Sequence, residues 1–216
     1  MRAERRVAIS PAPTRVPGGA NRLRIIGGQW RSRVVRFPDS KGLRPTPDRV
    51  RETLFNWLGQ RLEGVSCLDL FAGSGALGFE ARSRGASRVV LVERDRDVVS
   101  QLRRTAQDLG ESAVEIVQSD ALGWLARDPS RYDVVFVDPP YAAELLQPAL
   151  TALDGHLHPG ARVYVESSAP FVSPPGRWDV LKAGRAGAVH FALLAPGGLA
   201  AARSLPASQN DRGREF

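Results

Sequence analysis

The stretch Tyr132 to Tyr141, YDVVFVDPPY, runs from an apolar segment into a carboxylate and two prolines. Val134, Val135, Phe136 and Val137 are apolar and strand-forming, so they read as a strand buried on both faces that stops at Asp138. Pro139 and Pro140 carry no backbone N–H, hold φ near about −65°, and push the residue before each out of the helical region. The chain after Asp138 is therefore a stiff, extended edge whose carbonyls need donors. In an open α/β sheet, ligands bind just outside the carboxyl ends of the strands, where these residues would sit. A carboxylate and carbonyls accept hydrogen bonds from an amino group, and the Tyr141 ring can stack on a flat heterocycle. Asp138, Pro139, Pro140 and Tyr141 thus suit the grip of an exocyclic base amine, although the same four residues alone could simply end a strand in a turn.

What favours the chemical reading lies upstream. Residues 65 to 71, VSCLDLF, form a buried strand, and Gly73, Gly75 and Gly78 follow in the pattern G-x-G-x-x-G, with a helix from Ala76 to Arg84. Such a turn lets backbone approach a ligand beside a helix N-terminus, and NAD, FAD and other adenosine ligands share it. Ser87 to Glu93 is a second strand, and Glu93, twenty residues after Gly73, can accept both hydroxyls of a ribose. A helix from Asp95 to Leu109 and a strand from Val114 to Gln118 lead to Asp120. That side chain can accept from an adenine amine, cap the helix reaching Leu125, or do both.

Those elements must be held by a sheet. Beyond the Asp-Pro-Pro-Tyr stretch the spacing gives a helix over 142–153, a fifth strand over 161–166, a Pro-rich connection over 169–176, and strands over 178–182 and 189–194 joined around Gly184 to Gly187. The expected fold is α/β, with a mostly parallel seven-stranded sheet, an antiparallel strand near one edge and helices on both faces. A basic β-hairpin and helix precede it.

Of the 216 residues, the first 51 hold 13 Lys and Arg against 3 Asp and Glu, whereas the rest hold 17 against 20. A slightly acidic body with a basic front end points to a polyanion partner, because neutralised phosphates release counterions; a solvated basic tail is the plainer alternative. Residues 1–20 and 197–216 read as disordered. In 21–60, RLRIIGGQWRSRVVRF places apolar-basic runs around Gly27-Gly28 as a hairpin. Arg22, Arg24, Arg31 and Arg33 with Trp30 would form an RNA platform, or else a charge-protected edge. In LRPTPDRVRETLFNWL, Thr46 is the expected N-cap with Pro47 at the first helical position, and Arg44, Arg49 and Arg51 gather near the start, for ion pairing or for contact with nucleic acid. The single cysteine, Cys67, excludes an internal disulfide and reads as a buried small hydrophobe. The three histidines lack metal-ligand spacing, so no metal is expected. No apolar run is long enough to span a bilayer and no secretory leader is evident, which points to a cytoplasmic protein without membrane attachment, expected as a monomer.

In this order, DLFAGSG, the acidic strand end and DPPY resemble the class I S-adenosylmethionine-dependent methyltransferases, and DPPY resembles the signature of enzymes that methylate exocyclic amines. RIIGGQWRSR, GLRPTPDRVRETLFNWL, CLDLFAGSGALGFEA and FVDPPY together resemble the bacterial small-subunit (16S) rRNA guanine-N2 methyltransferases of the RsmD type, over about residues 22 to 195. The resemblance implies a Rossmann-like methyltransferase domain over 61–196, with 21–60 as an extension on the rRNA and cofactor side. It implies that Asp69, Phe71, Gly73 and Gly75 line the S-adenosylmethionine pocket, that Glu93 takes the ribose hydroxyls and that Asp120 stands near the adenine. It further implies that Asp138 to Tyr141 hold the guanine, that Arg44 to Arg51 close over the cofactor side and meet RNA, and that 16S rRNA or the small ribosomal subunit is the partner. Since DPPY does not itself select guanine, an adenine-N6 methyltransferase is the nearest rival. An NAD-dependent oxidoreductase and a non-catalytic RNA-binding factor are more distant ones.

Overall fold

Basic and apolar residues alternate on either side of Gly27-Gly28, and a ribbon of such runs turns one row of side chains inward and the other outward. In the computed structural model, which describes residues 21–38, 46–140 and 143–197, strand β1 (Asn21–Arg24) pairs antiparallel with β2 (Val34–Phe37). Leu23, Val35 and Phe37 enter the core with Ile25 and Trp30, while Arg22, Arg24 and Arg36 stay exposed. The connection is wider than the expected tight turn: the Ile25 N–H donates to the Arg33 carbonyl and the Ser32 N–H to the Ile25 carbonyl. Gly27-Gly28 instead lies against the segment around Ser83. A Cβ on Gly28, at φ 74°, would sit 1.8 Å from the Ser83 carbonyl oxygen, so close backbone approach demands glycine there.

Helix α1 (Asp48–Leu58) buries Val50, Leu54, Phe55 and Leu58 and ends at Gly59, whose φ of 98° is left-handed. Its start differs from expectation. Pro47 occupies the N-cap, no side chain caps the helix, and the buried Thr46 hydroxyl is engaged with Glu166 instead.

From here strand and helix alternate, as parallel neighbours require. The elements are β3 (Ser66–Asp69), α2 (Ala76–Ser83), β4 (Arg88–Glu93), α3 (Arg96–Asp108), β5 (Val114–Gln118), α4 (Ala121–Leu125), β6 (Tyr132–Val137), α5 (Ala143–Ala152) and β7 (Leu157–Ser167). Two long strands finish the described chain, β8 (Trp178–Ala186) and β9 (Val189–Pro196). The seven strands lie in the order β5-β4-β3-β6-β7-β9-β8, with β9 antiparallel to both neighbours and the five strands from β3 to β7 mutually parallel. The last connection turns at residues 187–188. Gly184 lies inside β8, where a Cβ would come 2.5 Å from the Phe191 ring.

Alternate strand residues feed two apolar layers. Cys67, Val89, Leu91, Val134 and Phe136 pack with α1, α2, α3 and the ribbon, whereas Leu68, Val90, Val92, Val135 and Val137 pack with α4 and α5. The chain leaves β3 toward β4 and β5, then crosses back to β6 on the other side. That reversal opens a crevice at the carboxyl ends of β3 and β6, which is where such sheets bind ligands.

Candidate active site

The crevice has one wall made of backbone. After Asp69 the chain turns sharply: the Ala72 N–H donates to the Val92 carbonyl and the Gly75 N–H to the Ala72 carbonyl. Gly73 and Gly75 take left-handed φ of 49° and 76°, and Gly75 caps α2, so the turn delivers backbone to the helix N-terminus. Glu93, at the end of β4, reaches across the turn. Its Oε2 accepts from the Gly73 N–H at 3.0 Å and its Oε1 from the Asp95 N–H at 2.8 Å. Each oxygen keeps a further lone pair for a ligand hydroxyl. Asp120 caps α4, with Oδ1 accepting from the Gly123 N–H at 2.9 Å, and stands exposed at the end of the β5 turn. Phe71 is half-buried against the α4 and α5 layer.

The other wall is acidic. Asp69 stands opposite Phe136, and the Leu70 N–H donates to the Phe136 carbonyl at 3.1 Å, so Gly73 and Asp138 lie at the same end of the sheet. Asp138 is half-buried, Pro139 buried and Pro140 exposed. Burial pushes the Asp69 carboxyl up to about 7 despite a 3.1 Å hydrogen bond from the Gly78 N–H, and the charges of Glu93 and Glu166 add to the rise. Asp138 is held well above the usual carboxylate range by burial, then by Glu166 and Asp69. Four carboxylates from β3, β4 and the ends of β6 and β7 thus crowd one crevice. The neighbouring negative charges that raise Asp69 and Asp138 in this dry site are relieved by a cationic ligand.

Glu166 is the residue that sequence reasoning missed. It is the penultimate residue of the fifth parallel strand, β7, much as Glu93 ends β4, and an acidic residue at a carboxyl edge was the available signal. It is raised by burial, while hydroxyl hydrogen bonds from Tyr164 and Thr46 pull the other way. Cys67 lies fully buried within β3, where desolvation and the Asp133 and Asp69 charges keep its thiol protonated.

The front-end residues divide. Arg22, Arg24, Arg31, Arg33 and Arg49 are exposed, and Arg22 faces Arg36 across the ribbon, a like-charge pair that an anion would relieve. Two others are withdrawn from any RNA-facing surface. Trp30 is only 6% exposed because its ring fills the core beneath the ribbon, and its backbone N–H donates to Ser83 Oγ. Arg51 is 0% exposed and serves as a structural cation, paired with Glu80 at 3.2 Å and Asp48 at 2.6 Å and donating to the Arg24 carbonyl at 2.8 Å. Arg44 and Tyr141 lie outside the described residues, as do 1–20 and 198–216. A cavity of about 970 Å³ opens elsewhere, between the ribbon connection, α1 and the end of α2, lined by Gln29, Arg31, Asn56, Gln60 and Arg61. None of Asp69, Glu93, Asp138 and Glu166 lines it, and it is their placement that locates the candidate site.

The family model described as "Conserved hypothetical protein 95" matches residues 23–195. The Ribosomal RNA small subunit methyltransferase D of Escherichia coli K12 is 45% identical over 179 residues, which cover 81% of this chain and 90% of the relative. The protein of the same name from Haemophilus influenzae is 41% identical over 185 residues, covering 82% and 95%. The solved structure of the Escherichia coli protein yhhF superimposes with a TM-score of 0.74 at 42% identity, covering 82% of this chain and 99% of that one.

Proposed function

We propose, from the premise that this chain belongs to the Conserved hypothetical protein 95 family together with the ribosomal RNA small subunit methyltransferases D, that it transfers a methyl group from S-adenosylmethionine to the exocyclic N2 of a guanine in small-subunit rRNA. The observation that carries this reading is the common crevice: a glycine turn with an acidic strand end on one side, and Asp138-Pro139-Pro140 on the other. The donor set fits the cofactor. Hydroxyls of a ribose find Glu93 beside the turn, an adenine amine finds Asp120, and a cationic centre finds buried carboxylates including Asp69. Phe71, Gly73 and Gly75 complete that pocket. When bound, S-adenosylmethionine supplies an electrophilic methyl group on a sulfonium, and the bonding pair of the broken C–S bond stays with sulfur.

The protein's task is the nitrogen. The lone pair of a guanine amine is delocalised into its ring, so the amine is a poor nucleophile until it is pyramidalised. Asp138 and the Pro139 carbonyl accept its two N–H groups, which aims the lone pair out of the ring plane and stabilises the charge that develops on nitrogen. Pro140 stiffens that edge, and Tyr141 stacks on the extruded base, offsetting part of the unstacking cost of roughly a few kcal/mol. Arg22, Arg24, Arg31, Arg33, Arg44 and Arg49 neutralise phosphates of the rRNA. The protein works as a cytoplasmic monomer; among the described residues no helix is long and apolar enough to cross a membrane.

The test is Asp138→Ala, assayed with small-subunit rRNA. Methyl transfer is expected to fall by about 100-fold or more while S-adenosylhomocysteine still binds. Turnover close to wild type would remove Asp138 from the amine.

A further inference from the structure

We propose that Glu166 is a positioning residue of the transfer site, a fixed negative charge that makes its neighbour Asp138 the acceptor of the proton the amine must lose. This rests on the assignment of Asp138 to the amine.

The geometry begins with strand register. Val137 of β6 stands opposite Val165 of β7, so the next residues, Asp138 just past β6 and Glu166 still within β7, stand side by side. Glu166 is 8% exposed and cannot turn to water. The Tyr164 hydroxyl, itself buried, donates to Glu166 Oε1 at 2.8 Å, and the Thr46 hydroxyl donates to the same carboxylate. Thr46 is anchored in turn, because Arg51 Nε donates to its carbonyl at 3.3 Å. From β9 the residue opposite Glu166 is the apolar Phe191. From β3 the group facing the pair is Asp69, another acid.

Two fixed hydroxyl donors favour the charged form of Glu166, whereas its neighbour then pays for a second negative charge in the same dry crevice. Burial raises both carboxyls, but the hydroxyl donors that oppose the rise act on Glu166, whereas the charges of Glu166 and Asp69 add to the rise at Asp138. A proton acceptor works best when its affinity is matched to the working pH, and an ordinary carboxylate is far too weak a base. In the step itself the amine nitrogen gains the methyl carbon and a positive charge. One N–H bond then breaks, its electron pair stays on nitrogen, and the proton passes to an Asp138 oxygen before release to solvent.

The experiment is a pH titration of the full chain with ¹³C-labelled Asp and Glu carboxyls, followed by NMR without RNA and assigned with Asp138→Asn. In the wild type the Asp138 midpoint is expected above that of Glu166. In Glu166→Gln it should drop by about one unit or more, a tenfold change in proton affinity, and the acid limb of the kcat profile should move down with it while KM for rRNA stays near wild type. Tyr164→Phe should raise the Glu166 midpoint. An Asp138 midpoint unmoved by Glu166→Gln overturns the proposal. So does a wild type in which Glu166 titrates above Asp138. Failure of the amine assignment is a separate outcome, since it shows as turnover retained by Asp138→Ala whatever the titration reveals.

Discussion

Glu80→Leu is the substitution that should damage the front end most. The Glu80 carboxylate is fully buried and accepts from the Ile26 and Gly27 N–H groups at 2.8 Å each, from Arg51 Nη1 at 3.2 Å, and from Arg84 Nε at 2.9 Å and Nη2 at 2.8 Å. Removing it strands two buried guanidinium groups, and truncating one partner of a buried ion pair costs about 3–5 kcal/mol. Arg51 retains Asp48 and two backbone carbonyls, and Arg84 retains Gln60 and the Phe55 ring, which favours the low end, near about 3 kcal/mol. The two orphaned N–H groups, being part-buried, add about 1 kcal/mol each at most. A loss of about 4 kcal/mol is a large share of a typical 5–15 kcal/mol, and lowers Tm by roughly 10 °C in a chain of this size. Urea unfolding measures it directly, as a lower midpoint at unchanged slope. A loss below about 1 kcal/mol would refute the reasoning, since the stranded charges would then have found water or other partners. Because the cluster joins the ribbon, α1 and α2, and Arg51 also anchors Thr46, the same substitution should weaken RNA binding.

Replacing Arg22, Arg24 and Arg33 together by Gln should weaken rRNA binding and flatten its logarithmic salt dependence by about 2, at about 0.7 for each phosphate no longer neutralised, with S-adenosylmethionine affinity unchanged; an unaltered slope would place the RNA elsewhere. Removing residues 21–37 outright would be uninformative, because Leu23, Ile25, Trp30, Val35 and Phe37 belong to the core. Asp69 makes stability depend on pH. With its folded value raised to about 7 and its unfolded value in the ordinary range, its favourable contribution is complete below about pH 4 and is lost as pH rises through 7. Denaturation curves between pH 5 and 8 should therefore show the ligand-free wild type losing stability relative to Asp69→Asn by an amount of the order of a few kcal/mol; equal pH dependence would contradict the buried acid.

The alternation from Val65 onward, the glycine turn and the proline-stiffened edge were legible because each is encoded locally, in a run of β-branched residues, a spacing of glycines or a missing N–H. The antiparallel β9 was legible too, since two strands separated by a short glycine-containing stretch must form a hairpin. What sequence left open was direction. A basic-apolar ribbon does not say which of its residues face the core, and Trp30 and Arg51 went inward because α2 offers a pocket and the Glu80 carboxylate. Thr46 followed the local rule for a helix cap but was claimed by Glu166, more than a hundred residues away, leaving Pro47 as the cap. Glu166 itself carries no motif. Only the β6–β7 register shows that it stands beside Asp138.

The central claim is that one crevice joins a cofactor at the β3 glycine turn to a guanine amine held by Asp138. Digestion of small-subunit rRNA after reaction with the purified protein and isotopically labelled S-adenosylmethionine, followed by nucleoside mass spectrometry, tests it most directly. The label should appear in N2-methylguanosine and vanish with Asp138→Ala. Label in N6-methyladenosine, or N2-methylguanosine formed equally well without the Asp138 carboxylate, would contradict it.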